Sequence, residues 1–275
     1  MKKFTNEEIE FIQNNYNKIS TNDIALKLNR SRKSISYKCQ NLGLVTKDTK
    51  KIQKSLSSNK KYIDSNFFTN NSNAPYWAGF LMADGWIDNN RICLQLSIKD
   101  EQHLQRFKND IQSDATITHI TKGANDLVKT TRQMCQIRIS DIHTIEILKN
   151  KYNIISNKSN RLTFPLLTDE ETLKFIVGYI DGDGSLIKMY NNKLCIKFAS
   201  QSKDFMQSIV DLFNQWAPKH KQRKQQSVIR ETKIKGFYEY KISGTRAEIV
   251  YCKLMSINCP RLDRKWKIWE YLLCK

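Results

Sequence analysis

Apolar residues recur at helical spacing in three short stretches at the start of the chain. Ile9, Ile12 and Tyr16 follow Thr5 and Glu8, a pair placed for a capping box. Thr21 can cap a second helix carrying Ile24, Leu26 and Leu28. Ser31 can cap a third, with Ile35, Cys39 and Leu42 at i, i+4, i+7 on its inner face. The outer face of that third helix is polar and basic: Arg32, Lys33, Ser34, Ser36, Tyr37, Lys38 and Gln40. Residues 1–44 therefore read as a small all-α domain. The hydrophobic pattern then lapses. Residues 45–74 are rich in Lys, Ser and Asn and read as a basic linker, solvated or tracking along phosphates.

From residue 75 the pattern changes and repeats itself. Trp77-Ala-Gly-Phe-Leu-Met-Ala-Asp84-Gly85 aligns with Ile176-Val-Gly-Tyr-Ile-Asp-Gly-Asp183-Gly184, 99 residues later. Both are apolar helical runs ending in small-Asp-Gly. An alternating strand follows each, Arg91–Ser97 and then Lys193–Ala199 at an offset of 102, which implies three inserted residues. Helical patterns come next, from Asp100 and from Lys203. Further strands, Cys135–Ser140 and Tyr238–Ser243, precede closing helices near 141–152 and 245–256. Four matches in register predict a duplicated fold of class α+β. Two tandem αββαββα repeats span 75–165 and 166–275.

Charge narrows the partner. The 275 residues carry 46 Lys and Arg against 27 Asp and Glu, a net charge of +19. Such an excess suits a polyanion, above all nucleic acid. With that charge, helix, short turn and basic helix read as a helix-turn-helix whose third helix enters a major groove. Arg32, Lys33, Ser36, Tyr37 and Lys38 are its expected DNA contacts. The plainer reading is a three-helix bundle with a solvated basic face. In the repeats, strand alternation puts Arg91 and Gln95 on one face, Gln136 and Arg138 on one face, and likewise Lys193 with Lys197, and Lys241 with Ser243. Such side chains suit base edges and phosphates.

Other chemistries lack their residues. The seven cysteines are scattered with no CxxC, against a disulfide framework or a zinc knuckle. The four histidines form no paired array, and there is no P-loop. No apolar run reaches the ~18 residues of a transmembrane helix, and the N-terminus lacks a signal-peptide core. An intracellular protein with no membrane partner is expected.

The two helix-end motifs, WAGFLMADG and IVGYIDGDG, resemble the LAGLIDADG motif of homing endonucleases. The resemblance covers about 200 residues, since the repeat layout fits too. The N-terminal segment STNDIALKLNRSRKSISYKCQNLGL resembles helix-turn-helix modules of phage and mobile-element proteins. The small residues Gly79, Gly178, Ala78, Ala83 and Gly182 suit close helix packing, which would set Asp84 beside Asp183. Neighbouring carboxylates need cations and suit Mg²⁺. The resemblance thus implies a pseudo-two-fold saddle on DNA. Asp84 and Asp183 would be the catalytic metal ligands, with Ala83 and Gly182 beside them completing the metal positions. Mg²⁺ would be the cofactor, with Mn²⁺ able to substitute. It also implies a basic residue near each site. Lys158 fits the first half. In the second, the repeat offset points to Arg261 and the Arg264-Lys265 pair to Lys265, which is preferred. Met82 stands where the family often has Asp, whereas Asp181 keeps it. The implied activity is site-specific double-strand cleavage by a monomer at a long, asymmetric site. A non-cleaving maturase or repressor of the same fold, or a nicking enzyme with one impaired site, is the alternative.

Overall fold

A computed structural model describes residues 4–16, 18–46, 49, 63–87, 91–123, 131–156, 160–218 and 228–274. The chain divides into two compact units, residues 1–60 and 61–275.

The first unit contains α1 (Asn6–Asn15), α2 (Thr21–Lys27) and α3 (Arg32–Asn41). The capping box forms as expected, with Thr5 Oγ1 accepting from the Glu8 amide and Glu8 accepting from the Thr5 amide. The cap of α2 is Ser20 rather than Thr21: its hydroxyl accepts from the Asp23 amide at 3.1 Å. The Ser20 hydroxyl also donates to the Asp23 carboxylate at 2.6 Å. Ile12, Tyr16, Ile24, Ala25, Ile35 and Cys39 form the core. Arg30 closes the unit with a two-pronged ion pair to Glu8.

The second unit begins inside the stretch read as linker. Ile63, Phe67 and Phe68 are buried in its core, the phenylalanines in a short helix α4 (Phe67–Asn70). The Tyr152 hydroxyl donates to the Phe68 carbonyl at 3.1 Å. The linker reading therefore fails for residues 63–74. The polar composition of the neighbouring Lys- and Asn-rich run masked three apolar anchors.

Each repeat then runs in the expected order. The first has α5 (Ala74–Asp84), β1 (Gly85–Ile87), β2 (Ile92–Ser97), α6 (Glu101–Asp110), β3 (Thr118–Lys122), β4 (Arg132–Ile139) and α7 (Ile142–Tyr152). The second has α8 (Asp169–Asp183), β5 (Ser185–Lys188), β6 (Leu194–Ser200), α9 (Lys203–Trp216), β7 (Arg230–Glu231), β8 (Tyr238–Ser243) and α10 (Thr245–Met255), followed by α11 (Asp263–Trp266). The antiparallel sheets have matching orders, β1-β2-β4-β3 and β5-β6-β8-β7. Alternation buries one face of each: Ile92, Leu94 and Leu96 in the first, Leu194, Ile196 and Phe198 in the second.

Hairpin register refines the repeat. Trp86, two residues past the first motif aspartate, pairs with Cys93. Ser185, two past the second, pairs with Lys197. The counterpart of Cys93 is thus Lys197, 104 residues on, where sequence matching gave 102. A slip of two residues leaves every side chain on its expected face.

Helices α5 and α8 pack against each other along their length and join both halves in one core. A Cβ on Gly79 would strike the Phe175 carbonyl, and one on Gly178 the Tyr76 carbonyl. Both contacts lie inside van der Waals distance. Phe175 is 99 residues beyond Tyr76, so the contacts are two-fold mates. Only glycine permits this approach, as in small-xxx-small helix pairs. Among the described residues no helix is long and apolar enough to cross a membrane.

Candidate active site and nucleic-acid face

The close approach of α5 and α8 persists to their C-terminal ends. Gly182 lies against Ala83, and a Cβ there would come 3.4 Å from the Asp84 amide nitrogen. Asp84 and Asp183 are the last residues of the two helices, and both are exposed. Two carboxylates and two negative helix ends therefore converge on one spot of a strongly basic chain. The buried Tyr179 phenol feels both. Burial first, then the charges of Asp183 and Asp84, hold it protonated far above its ordinary pKa.

The converging carboxylates and nearby carbonyls form a hard-oxygen environment. Among the described residues no cluster of three or more His, Cys, Asp or Glu that could hold a metal ion is gathered, so the two carboxylates would need water and substrate oxygens to complete a cation's shell. The donors suit a cation that keeps water and takes substrate oxygens, as Mg²⁺ does.

The basic residues separate. Lys265 points inward, its ammonium donating to the carbonyls of Asp181 at 2.6 Å, Gly184 at 2.7 Å and Ile180 at 3.0 Å. It also reaches the Gly182 carbonyl at 3.3 Å. It thus caps the C-terminus of α8, supplying charge where the helix presents unpaired carbonyls. Burial lowers its pKa while the Asp181 charge resists the shift. Its neighbour Arg264 is turned outward and held by Asp100 through two hydrogen bonds of 2.7 and 2.8 Å. That pairing raises the Arg264 pKa, and Asp84 adds to it. Sequence reading missed Arg264, although the Arg264-Lys265 pair was visible. Adjacent helical residues point apart, so only one could face inward. Arg261 is spent on the carbonyls of Leu254, Ile257 and Cys259. Lys158 lies outside the described residues.

Below the site lies a buried polar relay. Asp181 accepts from the Tyr76 hydroxyl at 2.8 Å, the Leu262 amide at 2.8 Å and Trp266 Nε1 at 2.6 Å. Burial pushes its pKa up to about 6, against three donors that favour the carboxylate. Three donors on its two oxygens fit the carboxylate form. Tyr76 has one proton and gives it to Asp181, so its oxygen accepts from His103 Nε2 at 2.7 Å. Neutral His103 fits that role, and burial, with Arg106 helping, lowers its pKa to about 4.

The outer sheet faces carry most of the expected DNA residues. Gln95 and Gln136 are paired across β2 and β4, but Gln136 is buried and accepts from Arg138 at 3.3 Å, so the exposed group of that row is Arg138, with Gln95 half-buried. Lys197 and Lys241 sit directly opposite each other on β6 and β8. Like charges so placed are unfavourable without an anion. Glu239 meets Lys197 at 2.6 Å. Arg91 and Lys193 are exposed just before β2 and β6. In the separate first unit, Arg32, Lys33, Ser36 and Tyr37 are exposed on α3, whereas Lys38 is half-buried and packs over the Phe4 ring.

Residues 170–251 match a family model described as LAGLIDADG-like domain. A search of curated proteins found no match. Among solved structures, the chain is similar to the homing endonuclease I-WcaI bound to its DNA recognition sequence, with 11% identity, TM-score 0.50, and coverage of 72% of this chain and 86% of that one. It is also similar to I-DmoI in complex with DNA and Ca, at 13% identity, TM-score 0.47 and coverages of 75% and 99%. The N-terminal LAGLIDADG domain of DUF199/WhiA is similar at 10% identity, TM-score 0.43 and coverages of 73% and 91%. The second unit has the LAGLIDADG fold, and its second repeat carries a LAGLIDADG-like domain.

Proposed function

We propose that the protein is a site-specific, divalent-metal-dependent double-strand DNA endonuclease. The observation that carries this reading is the pair of exposed carboxylates, Asp84 and Asp183, at the meeting ends of two-fold-related helices. Such a pair would hold divalent cations, with one carboxylate supplied by each repeat. Bound there, Mg²⁺ or Mn²⁺ would activate water and stabilise the leaving oxygen.

The chain's own residues do the rest. Asp84 and Asp183 would hold the cations, with the backbone at Ala83 and Gly182 beside them. Lys265 fixes the end of α8 and so the position of Asp183. Arg264, oriented by Asp100, is the exposed cation for the phosphate undergoing cleavage. Lys158 is the basic residue proposed for the first half. The outer sheet faces bind a long duplex in the major groove, through Arg91, Gln95, Gln136 and Arg138 on one half and Lys193, Lys197 and Lys241 on the other. Unequal halves let a monomer read an asymmetric site. The first unit, through α3, adds affinity as a linked second module.

The test is cleavage of a randomised-plasmid library by the full chain, in Mg²⁺ against EDTA, with Asp84→Asn and Asp183→Asn alongside. Discrete double-strand cuts that need Mg²⁺ and vanish in both variants are expected. Salt-sensitive binding without any cut would overturn the nuclease reading in favour of a maturase or repressor. Nicks alone would show that one site is impaired.

A further inference from the structure

The first outward-facing row after each motif aspartate differs between the halves. In the first it runs Trp86, Cys93, Arg138 across β1, β2 and β4. In the second it runs Ser185, Lys197, Lys241 across β5, β6 and β8. Trp86 is 53% exposed, two residues from Asp84, on the face that also carries Gln95, Gln136 and Arg138, with Met134 and Ile120 partly buried farther along it. Cys93 points to the same face between its direct neighbours Trp86 and Arg138 and is only 8% exposed. Trp77, Trp266 and Trp269 are buried, and Trp216 is half-buried. Trp86 is the one tryptophan placed in solvent. Core packing does not account for an indole there.

We infer that the two halves grip DNA beside the cut by different chemistry, with Trp86 reading a base through an apolar contact to a thymine methyl and Ser185, Lys197 and Lys241 holding backbone phosphate. The inference rests on the assignment of this face to DNA. An indole offers no acceptor and a single donor, so its contact in a major groove is chiefly apolar, and the thymine methyl is the apolar group there. Lys241, and Lys197 with Glu239 beside it at 2.6 Å, supply point charge without base discrimination. Sequence preference next to the cut therefore falls on the Trp86 side.

The full chain is titrated with a fluorescein-labelled random-sequence duplex, following anisotropy for binding and tryptophan emission in parallel. The wild type is compared with Trp86→Phe, a change on an exposed position that keeps the strand. Binding with an emission change present in the wild type and missing in Trp86→Phe is expected. Binding with identical emission changes overturns the inference and leaves the DNA reading standing. No binding overturns both. Sites selected from randomised duplexes then test the chemistry. Deoxyuridine for the key thymine removes one methyl and weakens wild-type binding about fourfold, with no effect on Trp86→Ala. An equal loss in both proteins, or no thymine preference in the selected sites, overturns the methyl contact.

Discussion

The two repeats share a backbone but divide their polar interior unequally. Tyr76 on α5 donates to Asp181 on α8. Counting 99 residues from Tyr76 and back from Asp181 gives the two-fold mates Phe175 and Met82, both apolar and buried. Where one side has a hydroxyl facing a carboxylate, the other has a ring and a thioether. A buried carboxylate needs donors, and the segment after α10 brings the Leu262 amide and the Trp266 indole to one side. Asp181 sits where those donors arrive. Met82, the residue that departs from the usual motif, sits where an apolar side chain suits the core. The substitution at Met82 thus reads as packing, separate from the cutting carboxylates.

The sharpest way to break the comparison is at the carboxylates themselves. If the helix ends act as one paired site, Asp84→Asn and Asp183→Asn each lower double-strand cleavage by about 10³-fold or more, several kcal/mol of barrier. Both should keep DNA binding, and a cleavage and gel-shift pair reads the split. An unequal result, with one variant cutting normally, would end the two-fold account.

Next in size is the buried asymmetry. Asp181→Met strips the acceptor from Tyr76, Leu262 and Trp266 and costs about 3–5 kcal/mol in a denaturant melt. Met82→Leu, at the matching position, costs less than about 1.5 kcal/mol. Similar costs would show that the carboxylate is not the point of difference. Gly79→Ala and Gly178→Ala should each cost about 3 kcal/mol, alike within error, because each new methyl meets a backbone carbonyl across the axis.

The smallest effect is a pH slope confined to the side with the relay. His103 has a folded pKa of about 4 against an ordinary 6.5, so folding favours its neutral form. Its contribution is complete above the unfolded value and is lost as pH falls through the folded one. Between pH 7.5 and 5 this amounts to about 2 kcal/mol. Asp181, with its pKa raised to about 6, titrates in the same range with the opposite sign, so the histidine's share is read as the difference between the wild type and His103→Gln. His103→Gln should flatten this part of the stability profile, and an unchanged slope would locate the titration elsewhere.

Much of this arrangement was legible from residue order. The repeat of small-Asp-Gly ends, the period-two strands and the helix patterns give the αββαββα order, and alternation puts Gln95, Gln136 and Arg138 on one face. Strand faces survive a register error of two, which is why the hairpin offset could be wrong and the faces right. Lys265 shows the limit. Its place beside Arg264 was visible, but which of the two turns inward depends on the path of α11 past the end of α8. Trp86 was unremarked because an apolar residue next to a motif reads as core until the sheet leaves it outside.

The sequence by itself determined the duplication, the helix-ending aspartates and the basic character of the chain, because these rest on local periodicity and composition. Only the tertiary structure decided that Lys265 caps α8 while Arg264 faces outward, that Asp181 is shared by Tyr76, Leu262 and Trp266, and that Trp86 stands in solvent beside Cys93. Those outcomes depend on contacts between residues up to 164 positions apart, as in Asp100 with Arg264. Such pairings follow from how the two repeats close on one another, which no local pattern encodes.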